Sequence, residues 1–250
     1  MNADKKLLIA KINDLFSLCD KHCEPKFSPF LDGGEAAVIE DEFRIPYGYN
    51  VMYFGGYENA ERKMFGVFPE WLEAEEAGFP INVLRFDVPK FRKLTHRDYL
   101  GTIMSLGIDR NKTGDILTDD EGAYAFVSGD IADYVVRNVT KIANAGVKTH
   151  IIDIDNFRPP KPKTTERMCV CASLRADAVV AAAFNISRGS VEKLIAAGAL
   201  KINHREVMDR STQITVGDLL SVKSYGRFIL KDAGNNTRKG RLHITVEKFV

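Results

Sequence analysis

The sequence is poor in the features that mark several large protein classes. Nowhere do about 18 apolar residues follow one another, the length a membrane-spanning helix needs. The opening MNADKKLLIAKINDLF breaks its apolar stretches with charges and does not read as a signal peptide. A cytoplasmic protein without membrane insertion is therefore expected. Four cysteines in 250 residues are too few for a disulfide scaffold and should be free thiols. Cys19 and Cys23 flank His22, and Cys169 lies near Cys171, but neither pair has the two-residue spacing of zinc ribbons or fingers. Buried, inert thiols are the expectation. No glycine-rich stretch has the spacing of a dinucleotide or P-loop phosphate site. Neither a cofactor nor a metal is implied.

Net charge is also scarce, at +1, while 45% hydrophobic content supports packed cores. The near-zero sum conceals a division. Residues 1–157 hold 18 Lys+Arg against 26 Asp+Glu, net −8, and residues 158–250 hold 17 against 8, net +9. One part repels phosphate and the other attracts it. The sign changes in NFRPPKPKTTER, residues 156–167, where three prolines and four cations leave little to bury. Such a stretch predicts a stiff, basic linker over 157–167. The length favours more than one core, and the expected division is an N-terminal α+β region (1–79), a second domain (80–156), the linker, and a C-terminal module (168–250).

Residues 80–156 alternate between the two hydrophobic periods. Ile81–Val88 reads as a strand and Thr95–Leu106 as a helix, with Thr95 as N-cap, Asp98 at N3 and Gly107 as the stop. Strands at Asp115–Thr118 and Ala123–Ser128, a helix at Ile131–Ala143 and a strand at Val147–Ile154 follow. The β-α-β-β-α-β order predicts a ferredoxin-like domain within an α+β chain. RNA-recognition modules share this topology and stack bases on aromatics of their central strands. Here only Tyr124 and Phe126 could do so, close to four acidic residues, and a packing or protein-contact role fits them better. In residues 1–79, Lys5–Leu18 and Gly34–Phe43 read as helices, and Val51–Gly56 and Lys63–Val67 as strands joined by a tight turn, GGYENAERK.

Past the linker, Leu174–Phe184 reads as a helix with Val179, Val180, Ala183 and Phe184 on one face. A second helix begins at the N-cap Ser187 and places Val191, Leu194, Ile195 and Gly198 on one buried stripe, where Gly198 either ends the helix or lets the strand pack close. Its first turn presents free amides, two hydroxyls and Arg188, which is an anion site. In Leu200–Arg205, period-two alternation buries Leu200 and Ile202 and turns Lys201, Asn203 and Arg205 the other way together. Arg175, Ser187, Arg188 and Lys201 are thus offered to phosphates. The tail reads as strands Arg227–Leu230 and Leu242–Phe249 around a loop rich in cations.

The ordered pattern Arg175-x-Asp177, Ser187-Arg188-x-Ser190, Leu194-Ile195-x-x-Gly198, Lys201-Ile202-Asn203, Gly217-Asp218-x-x-Ser221-Val222 and Gly226-Arg227-Phe228 resembles the αL motif, the RNA-binding domain named after the fourth small-subunit ribosomal protein. With Phe54-Gly55-Gly56-Tyr57-Glu58-x-Ala60-Glu61-Arg62 in front, the whole chain looks like the YlmH family, which carries this module behind a ferredoxin-like domain. The resemblance implies RNA binding on the ribosome, rescue of obstructed large subunits, and a link to cell division. Ribosomal RNA, transfer RNA and the large ribosomal subunit are the implied partners, with a protein partner for the acidic half. The candidate RNA contacts are Arg175, Ser187, Arg188, Ser190, Lys193, Lys201, Asn203, His204, Arg205 and Arg227. Two positions depart from the motif. Ala176 stands where Leu is usual, and His204 where Gly is usual, so a positive φ there would carry strain.

Modules of this type also accompany RNA-modifying enzymes. A methyltransferase would show a glycine-rich strand-to-helix turn with an acidic ribose partner, and a synthase a catalytic Asp separate from the binding module. The sequence supplies neither, and its histidines form no familiar pattern with Ser or Cys, so a non-enzymatic binder is expected. The alternatives are an RNA-modifying enzyme with its site in the N-terminal half, and a cell-division-linked adaptor.

Overall fold

The computed structural model describes residues 3–74, 78–89, 94–160, 164–236 and 240–249. The chain forms two compact units, Met1–Pro160 and Lys161–Val250.

The first unit opens with α1 (Ala3–His22), β1 (Lys26–Phe27), α2 (Gly33–Glu42), β2 (Tyr49–Phe54) and β3 (Met64–Pro69). Its three strands form an antiparallel sheet in the order β1-β3-β2. The helix α2 starts at a complete capping box: the Asp32 carboxylate accepts from the Glu35 amide while the Glu35 carboxylate accepts from the Asp32 amide. Ile12, Phe16 and Cys19 of α1 bury against Phe65 and Val67.

The ferredoxin-like part comprises β4 (Ile81–Asp87), α3 (His96–Ser105), β5 (Thr113–Thr118), β6 (Gly122–Ser128), α4 (Gly129–Asn138), the hairpin β7 (Lys141–Ile142) and β8 (Ala145–Gly146), and β9 (Lys148–Ile152). The sheet order is β5-β6-β4-β9 with every pair antiparallel, the ferredoxin-like arrangement expected from the element order. Thr95 and Asp98 form the capping box of α3. The helix expected over 131–143 is shorter, because the chain turns at Val139 into the β7–β8 hairpin and Ala143 has φ 49°. Leu84, Phe86, Ala125 and Val127 face α3 and α4.

This domain does not have a core of its own on both faces. Phe30 and Met64 from the N-terminal region join Val83, Phe126 and Phe157 in one buried cluster. The distinctive 55–63 turn makes the junction. Tyr57 donates its hydroxyl to Asp115 at 2.8 Å, and the Glu61 and Arg62 amides donate to the same carboxylate at 2.7 and 3.1 Å. Burial pushes the Asp115 carboxyl above its ordinary range, and these hydrogen bonds pull back against that rise. Gly56 has φ 100°, and a Cβ there would lie 2.2 Å from the Phe126 ring. Glycine is therefore required twice over.

The second unit contains β10 (Thr164–Cys171), α5 (Ala176–Phe184), α6 (Arg188–Ala196), β11 (Leu200–Ile202), β12 (Arg205–Glu206), β13 (Leu219–Val222), β14 (Gly226–Asn236) and β15 (Leu242–Phe249). Its strands make a six-stranded antiparallel sheet, β10-β15-β14-β13-β11-β12. One face carries α5 and α6 over Leu200, Leu220, Phe228, Leu230 and Val246, all fully buried or nearly so. The expected linker is shorter at its C-terminal end, because Thr164–Arg167 already belong to β10, paired along β15; residues 161–163 lie outside the described residues. The tail loop is also shorter than expected, since β14 runs on through two register irregularities to Asn236. Arg238 and Lys239 of that loop lie outside the described residues.

Candidate nucleic-acid interface

The N-terminal ends of α5 and α6 meet at a buried carboxylate. Asp177, in the first turn of α5, is 3% exposed. Its Oδ1 accepts from Arg175 Nε at 3.1 Å, and its Oδ2 pairs with Arg188 Nε at 3.4 Å. Both arginine side chains remain partly open to solvent. Each approaches Asp177 through Nε, and a guanidinium carries further Nη donors with which it can address another acceptor. One carboxylate therefore aims two cations. The α5 amides are not part of an anion site, because Ala176 and Asp177 donate to the Thr212 and Arg210 carbonyls at 2.8 and 3.2 Å.

At α6 the Ser187 Oγ caps the helix, accepting from the Ser190 amide at 3.1 Å and lying 2.8 Å from Ser190 Oγ. The Arg188 and Gly189 amides precede the first intrahelical bond. A Cβ at Gly189 would meet only Ser187 Oγ, at 4.0 Å, so a ligand has room to approach the backbone. The other end of α6 is a Schellman stop: the Ala199 amide donates to Leu194 O and the Gly198 amide to Ile195 O, with Gly198 at φ 64°. Lys193 is exposed on this last turn. Burial pushes the Cys171 thiol up, and the nearby Arg188 charge acts in the opposite direction.

The remaining candidates fall elsewhere on the unit. Lys201 pairs with Ser221 and Ser221 with Arg227; directly opposed residues share a face. Leu200 buries toward α5 and α6, so the Lys201, Ser221 and Arg227 row lies on the opposite face, where Arg227 sits over the Phe249 ring at 5.3 Å. The expected single surface joining Arg175, Ser187, Arg188 and Lys201 is therefore divided between two faces. Arg205 also departs from the expectation. It lies across a hairpin turn and pairs with Ile202, whereas Lys201 pairs with Glu206. The turn reverses the alternation, and Arg205 shares the face of Ile202 rather than that of Lys201.

Asn203 and His204 form that turn at φ 46° and 67°, the left-handed pair of a tight hairpin. Asn203 is engaged within the fold: its Nδ2 donates to Asp218 at 2.7 Å and its Oδ1 accepts from the Leu219 amide at 2.9 Å. Sequence reasoning included Asp177 in the motif without seeing that it orients both arginines. It missed Arg210, an exposed cation paired with Glu192. The signal for the first was the Arg-x-Asp spacing across a helix start; a loop residue such as Arg210 carried none.

In the first unit, Phe126 is fully buried, against Tyr57 and Phe157 at 5.1 Å each. Tyr124 lies under the Arg85 guanidinium at 4.4 Å and edge-on to Phe157. Arg85 is itself held by Asp119, at 2.7 Å, and Asp87, at 3.1 Å. The two central-strand aromatics are thus packed within the chain. Among the described residues no group of three potential metal ligands is gathered, and no helix is long and apolar enough to cross a membrane. Cys19 and Cys171 are buried, as expected of inert thiols, but Cys169 is half-buried and Cys23 is exposed.

These features define a class: α+β proteins in which a ferredoxin-like fold precedes a small helix-and-sheet module. Comparison with known proteins narrows it. A family profile described as "Putative RNA-binding domain in YlmH" matches residues 74–156. The ribosome-associated protein quality control protein P2 of Bacillus subtilis (strain 168) is 30% identical over 246 residues, 98% of this chain and 95% of that protein. The solved structure of cell division protein ylmH from Streptococcus pneumoniae shares the fold with a TM-score of 0.50 at 20% identity, over 62% of this chain and 94% of that one. The chain belongs to the YlmH family.

Proposed function

We propose that this chain is a non-enzymatic binder of structured RNA that works on the ribosome. The observation that carries the reading is the pair of arginines, Arg175 and Arg188, aimed by one buried carboxylate beside the open first turn of α6. A phosphate placed there meets two guanidinium groups and backbone amides at once. The +9 balance of residues 158–250 draws RNA toward this unit. The name of the Bacillus relative, for ribosome-associated quality control, supports a role on the ribosome; the profile named for RNA binding supports RNA binding by the chain, but it matches residues 74–156, in the first unit, and does not bear on the Arg175–Arg188 site. The partners we propose are ribosomal RNA and transfer RNA on the large subunit, with Ser187 and Ser190 at the first contact, Lys193 further along α6, and Lys201 and Arg227 offering a second contact on the other sheet face. The net −8 part, which includes the profile-matched residues 74–156, also offers a surface to a protein partner.

The test is binding of the full chain to purified large subunits across a salt series. If about four phosphates are contacted, log affinity falls against log salt with a slope of about −3 to −4. Arg188→Ala weakens binding by about 1 to 2 kcal/mol and reduces the slope by about one. Unchanged affinity in a folded Arg188→Ala protein overturns the site.

A further inference from the structure

The sequence contains a single tryptophan, and the fold leaves it out of every core. Trp71 is 72% exposed, although large aromatics contribute most when buried. It occupies the turn after β3, closed by the Leu72 amide donating to Pro69 O at 2.9 Å. That turn is tied to the start of β2, where Asn50 Nδ2 donates to the Glu70 and Leu72 carbonyls at 3.3 and 3.1 Å. Tyr49 pairs with Pro69, so the chain entering β2 arrives at the same end of the three-stranded sheet. On that entering segment Tyr47 is 95% exposed and Ile45 50%. Three large apolar side chains are thus exposed at one sheet end, Trp71 on the hydrogen-bonded turn and Tyr47 and Ile45 on the segment that enters β2.

The charge along these segments is mainly acidic. Segments 40–47 and 70–74 contain Glu40, Asp41, Glu42, Glu70 and Glu73 against Arg44; Glu42 is paired with Lys5 at 2.9 Å, while Glu70 and Glu73, which flank Trp71, are exposed. Phosphate is repelled here. A guanidinium is the group that stacks on an aromatic face and also pairs with a carboxylate through two parallel hydrogen bonds. We infer that the Tyr47–Trp71 end of this sheet is a docking site for an arginine-rich, extended segment of a protein partner. The inference is independent of the RNA site proposed above, since it rests on other residues in the other unit.

Because Trp71 is the sole tryptophan, its emission reports this site alone in the full chain. Titration with a short fluorescein-labelled arginine-rich peptide should shift or quench that emission saturably. Affinity by anisotropy should fall roughly three- to fivefold in Tyr47→Ala and in Trp71→Ala, with unfolding curves unchanged, as expected of exposed positions. An oligolysine peptide of equal charge should bind more weakly than the arginine peptide, because an ammonium does not stack as a guanidinium does. Equal affinity for the two peptides, or no loss in either variant, reduces the contact to nonspecific charge attraction and overturns the proposal. A response of Trp71 to oligouridine that exceeds its response to the arginine peptide overturns it in favour of RNA.

Discussion

Two antiparallel sheets, each with two helices packed on one face, use their second faces in opposite ways. On the ferredoxin-like sheet, Val83 and Phe126 are fully buried beneath Phe30, Met64 and Phe157. On the C-terminal sheet, the face away from α5 and α6 carries Met168 at 77% exposure and Val170 at 41%. A face sealed by its own chain contributes stability and is withdrawn from base stacking, whereas an open face is available to a ligand. The difference also follows charge. The sealed sheet belongs to the acidic part of the chain and the open one to the basic part.

The largest expected effect tests the sealing directly. Phe126→Ala removes a fully buried ring and should destabilise the first unit by about 3 to 5 kcal/mol, while Met168→Ala should change stability by no more than about 0.5 kcal/mol. Denaturant unfolding of the two full-length variants measures both. Equal losses would erase the distinction between the faces.

Asp177→Ala comes next. It leaves Arg175 and Arg188 without their shared acceptor, and we expect a loss of about 1 to 3 kcal/mol in the second unit. RNA affinity should also fall despite the added net positive charge, because the guanidinium groups lose their aim. Tighter RNA binding would mean that charge alone, and not its placement, draws the ligand.

Two carboxylates of the sealed sheet have opposite pH slopes. Asp119 is pushed up by burial, but hydrogen bonds from Arg85 dominate together and hold its carboxyl below the ordinary range. Its stabilisation is present above the unfolded value, and is lost as pH falls through the lower folded value. Asp115 is raised by burial, so its contribution is greatest below the unfolded value and disappears as pH rises through the folded one. Acid unfolding between about pH 3 and 5 should therefore be shallower in Asp119→Asn and steeper in Asp115→Asn than in the unaltered chain. The same slope in both variants would remove the contrast.

The smallest effect concerns the open unit. His204→Gly relieves a side chain held at φ 67° and should stabilise the hairpin by about 0.5 to 1 kcal/mol, read from the unfolding midpoint. Weaker RNA binding in this more stable variant would assign His204 a contact with a base.

Much of the architecture was legible along the chain. The alternating periods of residues 81–128, the Thr95 and Ser187 caps and the glycine stops at 107 and 198 are local signals, set by side-chain chemistry within a few residues. What escaped reading depends on distant residues. The β7–β8 hairpin replaced the end of a helix because Ile142 buries in the sheet's core and Ala145 pairs with it across the hairpin. Thr164–Arg167 looked like linker because β10 finds its partner β15 nearly eighty residues on. The candidate site divided for a similar reason. Strand alternation set Lys201 opposite to Leu200, but which face the helices would cover is a tertiary outcome.

The amino-acid order by itself determined the charge division, the Thr95 and Ser187 caps with the glycine stops at 107 and 198, the βαββαβ order and the presence of Arg175, Asp177 and Arg188 in a recognisable spacing, because each is a property of neighbours. The tertiary structure alone decided that Asp177 is buried between two arginines, that Phe126 is sealed by the 55–63 turn, and that Trp71 is not. Burial depends on contacts between segments far apart in the chain, and those contacts exist only once both sheets have closed.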